Sequence, residues 1–249
     1  MKFSDIINYP LGLLGLKIAR KSKLPQVNQL DIEADTEFLS LYETVKPYTM
    51  VGIERCYALY QSLGYILRNK IPGDLVECGV WKGGSAMLMA LVLKQHNETN
   101  RRIWLYDTFE GMVKPGEQDG KDELKEWESL RVSETQNNMC YSPIDEVRQH
   151  MARTGFPADQ LVWVKGKVED TIPGKLPGSI ALLRLDTDWY ASTRHELQHL
   201  FPLLASKGVL LIDDYGAWQG ARKAVDEYFE GKQVLLHRID WTGRLLVKD

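Results

Sequence analysis

The chain has 249 residues, 44% hydrophobic and 26% charged, enough apolar material for one large domain with appendages. A net charge of −3 with no basic block argues against duplex nucleic acid as a partner. Three scattered cysteines, Cys56, Cys78 and Cys140, lack metal-ligand spacing and read as reduced thiols of a cytoplasmic protein.

The first segment to note is Tyr9-Pro10-Leu11-Gly12-Leu13-Leu14-Gly15-Leu16. It is far shorter than the roughly 20 apolar residues that span a bilayer, and Lys17, Arg20, Lys21 and Lys23 follow it, whereas a signal peptide carries its basic residues first. No membrane span is expected. Residues 1–48 are set apart as an N-terminal arm suited to packing or to contact with a second copy of the chain, and 49–249 as the main domain.

From residue 52 to 67, Ile53, Tyr57, Leu59, Tyr60, Leu63, Ile66 and Leu67 recur at helical spacing and predict an amphipathic helix. Strand and helix patterns then alternate. Strands are expected at 74–80, 102–107, 161–165, 180–186, 209–213, 234–239 and 244–247, and helices at 84–96, 143–153, 192–204 and 217–230. Such alternation predicts a mostly parallel sheet covered on both faces. Only Trp241-Thr242-Gly243 separates strong parts of the last two strands, a hairpin spacing that makes at least one of them antiparallel. The stretch 110–141 is polar, carries Gly111, Pro115, Gly116 and Gly120, and reads as either a lid or a plain surface insertion.

Chemistry gathers at strand ends. Ile180-Ala181-Leu182-Leu183-Arg184-Leu185 ends in Asp186-Thr187-Asp188, and Gly208-Val209-Leu210-Leu211-Ile212 ends in Asp213-Asp214. In open α/β sheets ligands bind beyond the carboxyl ends of the strands. Neighbouring strands would thus deliver several carboxylates to one crevice, where a hard cation such as Mg²⁺ relieves their repulsion.

The first strand runs into Glu77-Cys78-Gly79-Val80-Trp81-Lys82-Gly83-Gly84-Ser85 at the start of a helix. Glycines permit a tight turn and a helix start supplies free N–H groups. The dinucleotide pattern G-x-G-x-x-G is missing, and an acidic residue precedes the first glycine, which suits a ligand with a ribose and an amino-acid tail better than a pyrophosphate. Asp107 closes the second strand, where a carboxylate can grip ribose hydroxyls. An acidic strand end serves equally as a cap. Together the two features favour a nucleoside cofactor over plain structural turns.

These motifs, with Asp107-Thr108-Phe109-Glu110-Gly111, Leu185-Asp186-Thr187-Asp188-Trp189-Tyr190 and Ile212-Asp213-Asp214-Tyr215, resemble those of the macrocin O-methyltransferase family of class I S-adenosylmethionine-dependent methyltransferases, from about Thr49 to Phe229. The resemblance implies a Rossmann-like α/β fold with a seven-stranded, mostly parallel sheet and an antiparallel C-terminal strand. Outside the match, the residues up to about Pro47 are expected to form an N-terminal helical arm; within it, 110–141 is expected to form a lid insertion. The cofactors that the resemblance implies are S-adenosylmethionine and Mg²⁺, and the acceptor is the hydroxyl of a sugar or glycosylated small molecule.

By the same resemblance Thr49 and Met50 contact the cofactor, and Glu77, Cys78, Gly79, Val80, Trp81, Gly84 and Ser85 hold its methionine portion. Asp107 meets the ribose within a motif whose Thr108, Phe109 and Gly111 join the site, and Lys167 and Val168 meet the adenine. Asp186, Asp213 and Asp214 match the Mg²⁺ ligands, Asp186 also touching the cofactor site. Asp186 is the first candidate for the proton acceptor and Asp188 the second, with a helix-cap role for Asp188 equally open. Among the histidines, His195, His199 and His237 read as packing or surface residues, and His150, near the insertion, as the one to watch near the acceptor.

Two other readings compete. Asp186-x-Asp188 with Thr193 and a later acidic pair is loosely similar to haloacid-dehalogenase-type phosphatases, which place their nucleophilic Asp on the first strand. A non-catalytic cofactor-binding scaffold would carry a damaged metal site, whereas Asp186, Asp213 and Asp214 are all present.

Overall fold

The apolar runs become strands β1 (Asp74–Cys78), β2 (Ile103–Asp107), β3 (Leu161–Lys165), β4 (Ile180–Leu185), β5 (Leu204–Ile212), β6 (His237–Arg238) and β7 (Arg244–Val247). They form a seven-stranded sheet in the order β3-β2-β1-β4-β5-β7-β6. The structure, a computed structural model, describes residues 31–249 except 99 and 135. The apolar stretch at 9–16 and its proposed oligomer contact lie outside the described residues.

Strands β1 to β5 pair in parallel and β7 runs antiparallel to both β5 and β6, as the terminal hairpin spacing predicts. Strand order runs outward from β1 to β3 on one side and from β4 to β5 on the other. The reversal between β1 and β4 is the switch point at which an open α/β sheet forms its ligand crevice.

Helices α1 (Thr36–Val45), α2 (Ile53–Arg68) and α3 (Gly84–Gln95) pack together, and so do α7 (Tyr190–His199) and α8 (Gln219–Phe229). Between them in sequence lie α4 (Lys121–Ser129), α5 (Ile144–Ala152) and the short α6 (Val168–Thr171). Residues 36–249 form one compact unit. Within it α1 buries Phe38, Leu41 and Val45. Leu75, Val76, Leu182, Leu183 and Leu210 are completely buried at the centre of the sheet, which makes the strand ends a rigid platform.

Several boundaries differ from the sequence pattern for local reasons. Strand β1 stops at Cys78, because Gly79 turns the chain with φ +83°. The helix expected over 192–204 ends at His199; Phe201–Leu203 forms a 3-10 turn around Pro202, which cannot continue the helical hydrogen bonding, and Leu204 already opens β5. The expected strand at 234–239 shrinks to two exposed residues at the sheet edge. Helix α4 occupies the middle of the 110–141 stretch, where the charged sequence hid it.

Candidate active site

A cavity of about 380 Å³ opens at the carboxyl ends of β1, β2, β4 and β5. Its first wall is the glycine turn. A Cβ on Gly79 would fall 1.8 Å from the Asp186 carbonyl oxygen, so only glycine lets β1 and β4 exit side by side. Helix α3 starts at Gly84 with no side-chain cap, which leaves first-turn N–H groups for an anionic ligand. A Cβ on Gly84 would lie 2.6 Å from both the Thr49 Cβ and the Tyr48 carbonyl oxygen, so this glycine admits the 48–49 segment across the helix start.

Asp107 is tied into the same wall. Its Oδ2 accepts the backbone N–H groups of Val80 (2.7 Å) and Trp81 (3.0 Å), and its Oδ1 accepts that of Phe109 (2.6 Å). Burial raises its pKa while these hydrogen bonds oppose the rise. They hold Trp81 at φ +47°, a left-handed conformation unusual for so bulky a residue.

The second wall is acidic. Asp186, Asp213 and Asp214 each present one carboxylate oxygen within 4.8 Å of the others. Arg184 binds among them, with Nη1 2.7 Å from both Glu77 Oε1 and Asp186 Oδ2 and Nη2 2.7 Å from Asp213 Oδ1. Arg55, from α2, donates to the second oxygen of Asp213 and pairs through Nε with Asp240 at 3.0 Å. Asp188 sits in the left-handed region at φ +64°, and its backbone N–H donates to Asp214 Oδ2 at 3.2 Å. Among the described residues, Glu77, Asp186, Asp213 and Asp240 thus share the two guanidinium groups of Arg55 and Arg184, while no ion pair reaches Asp188 or Asp214.

Burial and mutual repulsion push four of these acids up: Glu77 to about 8, Asp188 and Asp213 each to about 6, and Asp214 well above its ordinary value. Burial is the largest cause for each. The clustered all-oxygen donor set fits a hard divalent cation, which Asp186, Asp213 and Asp214 would hold.

The cavity brings together Thr49, Met50, Glu77, Gly79, Val80, Trp81, Gly84, Ser85, Asp107, Thr108, Gly111, Lys167, Val168, Asp186, Asp188, Asp213 and Asp214. Cys78 and Phe109 do not line it. Cys78 is completely buried in the sheet, and Phe109 is buried with its ring 5.9 Å from that of Trp163. His150 is also absent from the lining: its Nδ1–H donates to the Lys82 carbonyl at 2.9 Å, and its ring packs 4.4 Å from that of Tyr48. It is a packing residue.

The sequence pattern did not single out Arg55, Arg184 or Trp218, all of which line or brace the cavity. Arg184 carried a signal, being a charge inside an otherwise apolar strand. Arg55 and Trp218 carried none, since each reaches the site from a separate element.

The insertion contributes Met112, Val113, Met139 and Cys140 to the lining. It is anchored by Trp189 Nε1–H donating to the Val113 carbonyl (2.8 Å) and by Asp119 Oδ1 accepting the Tyr190 N–H (2.6 Å), and braced within by Trp127 Nε1–H donating to the Met112 carbonyl (2.8 Å). The phosphatase reading fails on topology: β1 ends in Cys78 and turns at Gly79, with no nucleophilic Asp at its carboxyl end.

Comparison with known proteins agrees with this geometry. A family model described as macrocin-O-methyltransferase (TylF) matches residues 15–248. The 8-demethyl-8-(2,3-dimethoxy-alpha-L-rhamnosyl)-tetracenomycin-C 4'-O-methyltransferase of Streptomyces olivaceus is 38% identical, over 85% of this chain and 79% of that enzyme. Demethyldecarbamoylnovobiocin O-methyltransferase of Streptomyces niveus is 33% identical, over 73% of this chain and 67% of that enzyme. The solved structure of the O-methyltransferase NovP matches with a TM-score of 0.73 at 32% identity, covering 81% of this chain and 82% of that one. The chain belongs to the macrocin O-methyltransferase (TylF) family, and is an O-methyltransferase.

Proposed function

We propose that the protein transfers the methyl group of S-adenosylmethionine to a hydroxyl oxygen of a sugar or glycosylated small molecule, with Mg²⁺ held by Asp186, Asp213 and Asp214. The observation that carries this reading is one cavity shared by the glycine turn, Asp107 and the three clustered carboxylates. The glycoside-like names of the two relatives support the acceptor class.

In this reading the first-turn N–H groups of α3 bind the cofactor's carboxylate. Glu77 Oε2, buried and without a hydrogen-bond partner among the described residues, accepts from its ammonium. Asp107 faces the ribose, and Lys167 and Val168 the adenine. The bound cation supplies Lewis acidity toward the acceptor hydroxyl. The acceptor oxygen attacks the methyl carbon in line, the carbon–sulfur bond breaks to leave S-adenosylhomocysteine, and the hydroxyl proton passes to a carboxylate. Asp188 suits that last role better than Asp186, whose Oδ2 is engaged by Arg184. Holding donor and acceptor in line supplies much of the remaining acceleration.

The residues from 49 to 249 carry the chemistry, 110–141 closes over the acceptor, the N-terminal arm meets a second copy of the chain, and the protein works in the cytoplasm. Among the described residues no helix is long and apolar enough to cross a membrane.

The test is a mass-spectrometric screen of glycosides and phenols with S-adenosylmethionine, run with Mg²⁺ and with chelator. Methylated glycoside formed only with the cation is expected. Full turnover in chelator removes the cation from the reading, and methylation of phenols alone overturns the acceptor class.

A further inference from the structure

Arg184 is an anomaly in its strand. Every residue of β4 is buried, and its other members are Ile180, Ala181, Leu182, Leu183 and Leu185. A guanidinium 3% exposed there loses its hydration and persists only with dedicated partners. Register explains how it finds them. Glu77 of β1 pairs directly with Arg184 of β4, so both side chains leave the same face of the sheet. Asp186 lies two residues on and returns to that face, while Asp213 leaves the end of the neighbouring β5.

One planar fork therefore reaches three carboxylates from three strands at 2.7 Å each. Two of them, Asp186 and Asp213, belong to the cation cluster. The third, Glu77, lines the cavity with Oε2 buried and unpartnered among the described residues. Arg184 is not among the residues lining the cavity. It acts through the acids it holds.

We propose that Arg184 is a positioning residue common to both pockets, so that placement of the cofactor's amino-acid portion and of the cation's ligands depends on the same side chain. This rests on the cofactor and cation assignment above. A point charge cannot reproduce the fork: a lysine ammonium keeps the positive charge but is too compact to span Glu77, Asp186 and Asp213 together. A purely electrostatic role for Arg184 makes the opposite prediction for the cation, because removing a nearby positive charge tightens cation binding.

The test uses calorimetry of S-adenosylhomocysteine in chelator and of Mg²⁺ alone, on the full chain and on Arg184→Lys and Arg184→Gln. In variants that melt cooperatively, S-adenosylhomocysteine affinity is expected to fall at least tenfold in both, and Mg²⁺ affinity at least fivefold. Should both variants fail to fold, Asp213→Ala in chelator replaces them. Losing the Nη2 partner frees the fork, and S-adenosylhomocysteine is expected to bind at least threefold more weakly although no cation is present. Cofactor affinity within twofold of the parent in the folded variants, or tighter Mg²⁺ binding in Arg184→Gln, overturns the proposal, as does unchanged affinity in Asp213→Ala. Absence of S-adenosylhomocysteine binding by the parent protein instead overturns the cofactor assignment itself.

Discussion

The carboxylate of Asp107 accepts the backbone N–H of Val80 at 2.7 Å, which ties the end of β2 to the turn after β1. Because Trp81 and Phe109 donate to the same carboxylate, one side chain shapes the wall of the cavity as well as facing it. Asp107→Ala should therefore lower stability by about 1–3 kcal/mol through buried N–H groups left without partners, in addition to weakening S-adenosylhomocysteine. Denaturant unfolding and calorimetry measure the two effects separately. Unchanged stability would show that water replaces the carboxylate.

Gly84→Ala places a methyl group against the Tyr48 carbonyl and the Thr49 Cβ, atoms that cannot turn aside as a long side chain can. The expected cost is roughly 1–3 kcal/mol of stability, with weaker cofactor binding as Thr49 is pushed from the helix start. Chemical denaturation would refute this if the variant were as stable as the parent.

Asp188→Asn should reduce kcat about 10²–10⁴-fold if Asp188 accepts the acceptor proton, since an amide cannot take it. S-adenosylhomocysteine affinity should change little, because Asp107 and Glu77 are held by groups other than Asp188. Steady-state rates on a confirmed acceptor decide the matter, and near-normal kcat would return the role to Asp186.

Glu196 is completely buried beneath the site and accepts the Thr187 hydroxyl at 3.0 and 3.1 Å. Burial raises its pKa well above the ordinary carboxylate value, so it folds in neutral form. The unfolded chain releases this proton as pH rises past the ordinary glutamate range, which makes the group increasingly destabilising toward alkaline pH. Glu196→Gln carries no such proton. Its advantage in melting temperature over the parent should widen from pH 5 to pH 8, and a gap that is constant with pH would place a charged Glu196 in the folded protein.

Asp119 anchors the insertion to the start of α7 through the Tyr190 N–H, and its carbonyl accepts Gln219 Nε2 at 2.9 Å near the start of α8. Asp119→Ala should release this tether and speed limited proteolysis within 110–141, while a thermal melt followed at the sheet shifts little. Cofactor plus acceptor should slow the cut in the parent. Equal cleavage of parent and variant would locate the anchor instead at Trp189 and Val113.

Much of the architecture was legible in local chemistry. Apolar runs bounded by glycine and acidic residues marked β1 to β5 because strand period and turn geometry depend only on neighbouring residues, and the short Trp241–Gly243 link announced the antiparallel β7. Asp186, Asp213, Asp214, Asp107 and the glycine turn were visible as strand-end chemistry, since an α/β sheet exposes those ends to ligands wherever they occur. Helix α4 stayed hidden: its residues are mostly charged, and its one buried anchor, Trp127, sets no apolar period.

What tertiary structure alone decided is which charges meet. Arg55, on α2, pairs with both Asp213 at the end of β5 and Asp240 in the turn before β7, three residues far apart in sequence. Strand register, which no local pattern encodes, set Arg184 beside Glu77. Packing likewise withdrew His150 and Phe109 from the site by giving them partners of their own. Secondary structure follows from neighbours along the chain, whereas the balance of charge in a buried site follows from which strands the fold places side by side.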